Sequence, residues 1–151
     1  MKFNHLLGAA ALAFSLASTA LYAQATGSAA EAKALLDKAV VALKANKADA
    51  LGKFPKMDGG FRDRDLYVFC YNVSDGKFTA HPNEKLMGTD VRALKDGDGV
   101  PLGQQIFDRA KEGAVATVDY KFPKATGGEP LPKQSFVTAV GDQGCGVGYY
   151  K

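Results

Sequence analysis

The stretch from Asp65 to Pro82 constrains the fold more than any other part of the sequence, because it predicts a β-hairpin. Leu66 to Tyr71 is rich in aromatic and β-branched residues, which is typical of a buried strand. The tripeptide Ser74-Asp75-Gly76 follows, and its Asp-Gly pair favours the tight turn of a short hairpin. His81-Pro82 closes the second strand. This hairpin fronts either a ligand pocket or only a hydrophobic core.

The amino-terminal segment has the order of a cleavable secretory signal. Met1 to His5 carries one lysine, and Leu6 to Tyr22 contains no charged residue. Ala23-Gln24-Ala25 then provides an Ala-x-Ala site. We predict a signal peptide over residues 1–25, cleaved after Ala23 or Ala25, and a periplasmic or secreted domain over residues 26–151. An uncleaved anchor is the alternative, and it is disfavoured because serine and threonine interrupt the Ala-rich stretch.

The composition excludes two classes of protein. With 46% apolar and 23% charged residues, the chain has an ordinary globular composition, and disorder is not indicated. The formal net charge of +3 is small, and both signs are mixed along the chain. No nucleic-acid partner is therefore expected.

Two helices are predicted from capping residues and apolar periodicity. Ser28 and Glu31 form a capping box at the start of the first helix, in which apolar residues recur at helical spacing. Asn46 marks a short break in this helix. A second helix begins at Pro101, and we expect it to stop at Gly113.

Three further strands are predicted in the carboxy-terminal part of the chain. They are Ala114 to Phe122, Lys133 to Val140 and Cys145 to Tyr150, and Pro123 to Pro132 is a turn-rich connection. Runs of neighbouring strands with short links favour an antiparallel sheet. The predicted fold class is α+β, a single domain in which the long amino-terminal helix packs on a sheet of about five strands.

Cys70 and Cys145 are the two cysteines of the chain, and an exported protein permits one disulfide. If the first and last strands pair antiparallel, the register that sets Cys70 opposite Cys145 also sets Asp65 opposite Tyr150. A cross-strand disulfide is predicted, with two buried thiols as the alternative. The spacing is not Cys-x-x-Cys, and only His81 remains after signal removal, so we expect no redox motif, haem, metal or other cofactor.

The motifs of the chain, taken in order, resemble the single Cache domains of the second type, which are extracytoplasmic PAS-like sensor modules. The resemblance runs from about Ala29 to Lys151 and lies in the ordered set rather than in any one motif. The set comprises Asp65-Leu66-Tyr67-Val68-Phe69, Asp75-Gly76, Ala80-His81-Pro82, Leu86-Met87-Gly88, Asp96-Gly97-Asp98-Gly99, Val118-Asp119-Tyr120-Lys121-Phe122-Pro123, Pro132-Lys133 with Phe136, Gly144-Cys145-Gly146-Val147, and Tyr150-Lys151.

The resemblance implies a PAS-like fold and a binding function. Members of the family usually form the sensor part of chemoreceptors and sensor kinases, and they bind small metabolites, often short carboxylates. The sequence shows no second spanning segment and no cytoplasmic output region, so we expect a free-standing exported sensor domain that acts in signal transduction or chemotaxis. Its expected partners are a carboxylate-like small molecule and a membrane receptor or sensor kinase.

Six residues at the motif positions form the predicted ligand-binding set. The residues that would supply donors and charge to a carboxylate are His81, Tyr120 and Lys133. The residues that would form the walls are Tyr67, Phe69 and Phe136. Secondary candidates are Arg62, Arg64 and Lys121. Each of these residues also has an alternative role without a ligand, because aromatic residues more often pack in the core and lysines on strands are often exposed to solvent.

Two other functions are open at this point. A hydrolase or isomerase would use His81 with Asp119 or Ser135, but the sequence has neither a Gly-x-Ser-x-Gly element nor a paired-carboxylate motif. A thiol-redox accessory protein would cycle Cys70 and Cys145, which their spacing disfavours. We therefore expect a binding module and not an enzyme.

Overall fold

The computed structural model describes residues 26–151, so the predicted signal peptide lies outside the described residues. These residues form an α+β fold, as the sequence predicts. The helices are α1 (Ala29–Ala45), α2 (Lys47–Lys53) and α3 (Leu102–Arg109). The strands are β1 (Arg62–Asp63), β2 (Leu66–Asn72), β3 (Phe78–Ala80), β4 (Ala116–Lys124), β5 (Gly127–Val140) and β6 (Gln143–Tyr150). Short 3-10 helices lie at Met57–Gly59, Glu84–Leu86 and Val91–Ala93.

The predicted capping box starts α1. The Ser28 hydroxyl accepts a hydrogen bond from the Glu31 backbone N–H at 3.3 Å, and the Glu31 carboxylate accepts one from the Ser28 backbone N–H at 2.8 Å. Asn46 has extended backbone angles, and its side chain caps the next helix by accepting from the Asp49 N–H at 3.1 Å. At the break, α1 therefore ends before Asn46, and α2 begins directly after it. Of the helices within residues 26–151, none combines the length and apolar character that a bilayer crossing requires.

The sheet is antiparallel and has six strands in the order β1-β2-β6-β5-β4, with β3 also paired to β2. The sequence predicts about five strands, and β1, with two residues, is the one it does not reveal. Helix α1 packs on one face, against β2, β5 and β6. Helix α3 and the 3-10 helix Val91–Ala93 cover the other face, which we call the site face. Each face has its own hydrophobic cluster.

The predicted hairpin and disulfide are both confirmed. Gly76 takes a φ of 75° in the turn between β2 and β3, and Cys70 lies directly opposite Cys145 in the β2–β6 register. Their sulfurs are bonded. The predicted end-to-end pairing is too long, since β2 and β6 pair only from Val68↔Val147 to Asn72↔Gln143. Before Leu66 the chain turns away to form β1, so Asp65 lies outside the strand.

The second helix is shorter than predicted. Helix α3 ends at Arg109, because Ala110 already has an extended conformation. Gly113, with a φ of 75°, instead serves the turn that leads into β4. The predicted stop residue therefore shapes the connection after the helix.

The connection predicted from Pro123 to Pro132 is a β-hairpin. Strand β4 continues through Pro123 to Lys124, and Lys124 pairs with Gly127 at the start of β5. Pro130 and Pro132 are tolerated because they lie beyond Lys133↔Tyr150, the last pair of β5 with β6, in a part of β5 that has a strand on one side only. The missing N–H groups of the two prolines therefore remove no hydrogen bond between β5 and β6.

Candidate functional site

Five of the six predicted ligand residues meet on the site face. Tyr67 and Phe69 belong to β2, His81 follows β3, and Tyr120 of β4 lies directly opposite Lys133 of β5. The His81 ring lies 5.4 Å from the Tyr67 ring and 6.5 Å from the Phe69 ring, measured between centroids. The structure thus brings residues from three strands and from the segment after β3 into one cluster.

Lys133 is a buried cation in an aromatic setting. Its side chain belongs to a residue that is only 3% exposed. The ammonium nitrogen lies 4.6 Å from the centroid of the Tyr150 ring and 5.0 Å from that of Tyr67. Within residues 26–151 it has no hydrogen-bond or ion-pair partner. Burial lowers the pKa of Lys133 to about 8, because desolvation disfavours the charged form.

His81 is neutral near pH 7 and presents one donor. Its Nδ1 accepts a hydrogen bond from the Asn83 backbone N–H at 2.9 Å, so the proton of the neutral ring is on Nε2. Burial, with a further contribution from the charge of Lys133, lowers the pKa of His81 to about 4. Nε2 has no partner in the described part of the chain. His81 therefore holds the local backbone through Nδ1, and its Nε2–H remains available to donate a hydrogen bond.

The two tyrosines differ in how their hydroxyls are used. The Tyr120 hydroxyl shares a hydrogen bond of 2.8 Å with the Ser135 hydroxyl. The Tyr67 hydroxyl has no hydrogen-bond partner among residues 26–151, and burial raises the pKa of Tyr67 to about 12. Both remain protonated at neutral pH, so Tyr67 adds a neutral donor to the cluster.

An open depression of the surface lies where β4 and β5 pair, at the edge of the sheet. This depression of about 280 Å³ is lined in part by Tyr120 and Lys133. Two ion pairs lie around it, Asp98 with Lys121 at 2.8 Å and Asp119 with Lys151 at 2.6 Å. The depression is therefore lined mainly by charged side chains.

Gly148 is a site residue that the motif comparison misses. A Cβ at Gly148 would lie 2.7 Å from the Ser135 hydroxyl, 2.8 Å from the Tyr120 hydroxyl and 2.9 Å from Cε of Lys133. Because glycine has no side chain, the side chains of Ser135, Tyr120 and Lys133 can approach one another next to Gly148. The signal was in the sequence as the alternation Gly144-x-Gly146-x-Gly148, which places glycines on one face of β6.

The remaining candidates lie elsewhere. Phe136 packs with the α1-side cluster and stacks on Tyr149 with ring centroids 5.9 Å apart. Arg62 donates to the backbone carbonyl of Pro55, and Arg64 pairs with Glu31 and Asp63, while Lys121 is in the pair with Asp98. The proposed site therefore keeps His81, Tyr120, Lys133, Tyr67 and Phe69.

The geometry offers no support to the two rival functions. Asp119 accepts from Gln134 and Lys151, and Ser135 bonds to Tyr120. Neither touches His81 among the described contacts, so no nucleophile–base pair is assembled. Cys70 and Cys145 are fully buried, which shields their disulfide from thiol exchange. Residues 26–151 also hold no group of three or more metal-ligating side chains.

An antiparallel sheet with a long helix on one face and a loop-and-helix segment over the other is the arrangement of a PAS-like sensor domain. A sequence model of the Cache domain matches residues 32–144. The chain therefore belongs to the Cache domain family, and the described residues form a single domain of the second type, as the sequence predicts.

Solved sensor structures share the fold. A methyl-accepting chemotaxis protein from Vibrio parahaemolyticus is 26% identical with a TM-score of 0.64, over 80% of this chain and 86% of that one. The periplasmic sensor domain of a chemotaxis protein is 25% identical with a TM-score of 0.56, over 80% and 88%. A Cache chemosensory domain described for carboxylic acid recognition is 21% identical with a TM-score of 0.57, over 80% and 86%.

A curated relative is also a chemotaxis receptor. Methyl-accepting chemotaxis protein McpP of Pseudomonas putida is 33% identical over 76 residues, which are 50% of this chain and 14% of that protein. This chain therefore spans a small part of the length of that relative. The similar proteins are sensor domains of chemotaxis receptors, which are not enzymes.

Proposed function

We propose that this chain contains a periplasmic sensor domain that binds a short organic carboxylate on the site face and passes the signal to a membrane receptor or sensor kinase. The observation that carries the proposal is Lys133, a residue only 3% exposed whose ammonium lies among aromatic rings and has no hydrogen-bond or ion-pair partner in residues 26–151. A largely desolvated charge without a polar partner is costly, and a small anion would supply that partner.

The neighbouring donors favour a carboxylate over other anions of the same charge. Lys133, His81 Nε2 and the Tyr67 hydroxyl are three donors without protein partners in the described chain, and a carboxylate has two oxygens that accept several hydrogen bonds. Only Lys133 carries a full charge at neutral pH, because His81 is neutral. One cation in an otherwise aromatic site is matched to one carboxylate.

The relatives support the sensory part of the proposal. They are chemotaxis proteins, and one of the fold neighbours is described for carboxylic acid recognition. That neighbour shares only the fold at 21% identity, so the ligand class proposed here depends on the residues around Lys133.

The test is a melting experiment with sodium acetate and sodium propionate, with acetamide as the uncharged isostere and sodium chloride at equal ionic strength. Either acid at about 100 times its dissociation constant is expected to stabilise the protein by about 2.7 kcal/mol, while acetamide and chloride leave the melting temperature unchanged. Lys133→Met is expected to weaken binding by about tenfold or more, since a hydrogen bond to a charged group contributes about 1.5–3 kcal/mol.

The control is Lys44→Met, which removes an exposed lysine from the last turn of α1 on the opposite face. This variant should keep the full carboxylate response. The ligand-free Lys133→Met protein should melt close to the wild type, because methionine is unbranched and can fill the aromatic setting of the lysine stem. An equal response to acetate in wild type and Lys133→Met would contradict the proposal, as would an equal response to acetate and acetamide.

A further inference from the structure

Tyr150 borders both the surroundings of Lys133 and a second opening of the surface. In the register of β5 and β6 it lies directly opposite Lys133, and the centre of its ring is 4.6 Å from the Lys133 ammonium. Tyr150 also lines a groove of about 440 Å³ beside the start of α1, together with Lys124 and Leu131. Lys133 is not among the described residues that line this groove. The ring of Tyr150 is therefore the contact that the ammonium and the groove share.

The ring of Tyr150 is held in place at the end of the sheet. Its hydroxyl donates a hydrogen bond to the Pro123 carbonyl at 2.8 Å. The next residue, Lys151, donates its backbone N–H to the Pro132 carbonyl at 3.0 Å, which fastens the end of β6 to β5. Pro132 and Lys151 line both the groove and the depression at Lys133. The two openings are therefore neighbours, and Tyr150 belongs to the boundary between them.

The groove holds a second lysine next to the same ring. The Lys124 ammonium lies 5.5 Å from the centre of the Tyr150 ring, and it has no ion-pair partner within residues 26–151. Two ammonium groups, those of Lys133 and Lys124, therefore contact one aromatic ring. A molecule with two carboxylates would need the space of that ring in order to pair with both lysines.

We propose that Tyr150 is the specificity-determining residue of the carboxylate site, the wall that limits its ligand to a short monocarboxylate. The site then ends at the ring, and the second charge or longer chain of a larger acid would collide with it. The ligand in this inference rests on the proposed function, but the closure of Lys133 toward the groove depends on no ligand. Replacing the ring by a methyl group should therefore merge the site with the groove.

The first measurement needs no ligand. Reductive methylation with formaldehyde and sodium cyanoborohydride modifies accessible lysine amines, and mass spectrometry of the peptides measures the rate at Lys133. Since Lys133 is buried, its methylation should be slow in the wild type and about tenfold faster in Tyr150→Ala. Tyr150→Phe is the matched control, because it keeps the ring, and its rate should equal that of the wild type. Lys44, which is exposed, should react equally in every variant.

The second measurement compares sodium propionate with disodium glutarate by titration calorimetry at neutral pH. The wild type is expected to prefer propionate. In Tyr150→Ala the ratio of the glutarate affinity to the propionate affinity should rise by about tenfold or more, because the second carboxylate can pair with Lys124. Tyr150→Phe should keep the wild-type ratio, and Tyr150→Ala combined with Lys124→Met should return to it. A residue that only supports the fold would weaken the binding of both acids by the same factor.

The outcomes separate this inference from the proposed function. Unchanged methylation of Lys133 in folded Tyr150→Ala overturns the role of the ring, and so does an unchanged affinity ratio in a protein whose wild type binds propionate. Faster methylation in a protein whose wild type binds neither acetate nor propionate supports the closure by Tyr150 and contradicts the proposed function. If Tyr150→Ala does not fold, Tyr150→Val takes its place, since valine suits a strand. Failure of both variants while Tyr150→Phe folds would assign the ring to the fold alone and overturn the inference.

Discussion

Replacing Cys70 and Cys145 together by alanine is expected to lower the free energy of unfolding by about 4 kcal/mol. The disulfide joins residues 75 positions apart, and in the chain-entropy model a closed loop of that length strongly restricts the unfolded chain. Since domains of this kind are stable by about 5–15 kcal/mol, the loss is a large fraction of the total. Urea unfolding of the variant and the wild type measures it.

The same experiment with reductant provides the control. Wild type unfolded and refolded in dithiothreitol should lose a similar amount of stability, whereas the double variant should be unaffected by the reductant. Native wild type should show no titratable thiol. A loss below about 1 kcal/mol would mean that the denatured chain is already restricted or that the bond is strained.

Gly103→Ala is expected to destabilise the protein by about 3 kcal/mol or more, although alanine favours helix by about 1 kcal/mol. Gly103 lies in α3 where the helix crosses the 3-10 helix Val91–Ala93. A Cβ there would overlap the carbonyl oxygen of Val91 and come within 3.1 Å of Cβ of Leu94. Because the overlapping atom is backbone, one of the two helices has to move away from the site face.

Gly52→Ala is the matched control for this substitution. Gly52 lies in α2, and a Cβ added there would meet no heavy atom within 4 Å. The same change should stabilise the protein by about 0.5–1 kcal/mol, so the two variants should differ in sign. Thermal or urea unfolding of both tests this, and equal effects would contradict the close packing of α3.

The elements with strong local signals were predictable from the sequence. The hairpin carries an Asp-Gly turn between apolar strands, α1 carries a capping box, and these features act over a few residues. The opposed cysteines were predictable for another reason, since the pairing of two strands of similar length leaves few registers. The error at Asp65 arose because nothing local shows that the chain turns back into β1.

The prolines show where local rules fail. Pro130 and Pro132 suggest a loop, but a strand segment with a neighbour on one side only accepts proline. Whether a segment has such a free side depends on how far β6 extends, which is a property of the whole sheet. The sequence window around the prolines contains no information about it.

The candidate site was partly predictable by the same reasoning. Lys133 and Phe136 are three residues apart in one strand, so the alternation of side chains already places them on opposite faces. The motif comparison grouped them because it follows chain order and not strand geometry. Gly148 was missed because its contribution is an absent side chain, and the close approach of Tyr120 and Lys133 appears only once three strands are assembled.

The strand order also determines when this domain can fold. The centre of the sheet is β2 paired with β6, and α1 packs on a surface to which β6 contributes. The apolar stripe of α1 therefore has no complete surface to cover until residues 143–150 have been made. Contacts between segments that are far apart in sequence form slowly, because the loop between them must close first. A domain with this topology therefore stays open until β6 has been made.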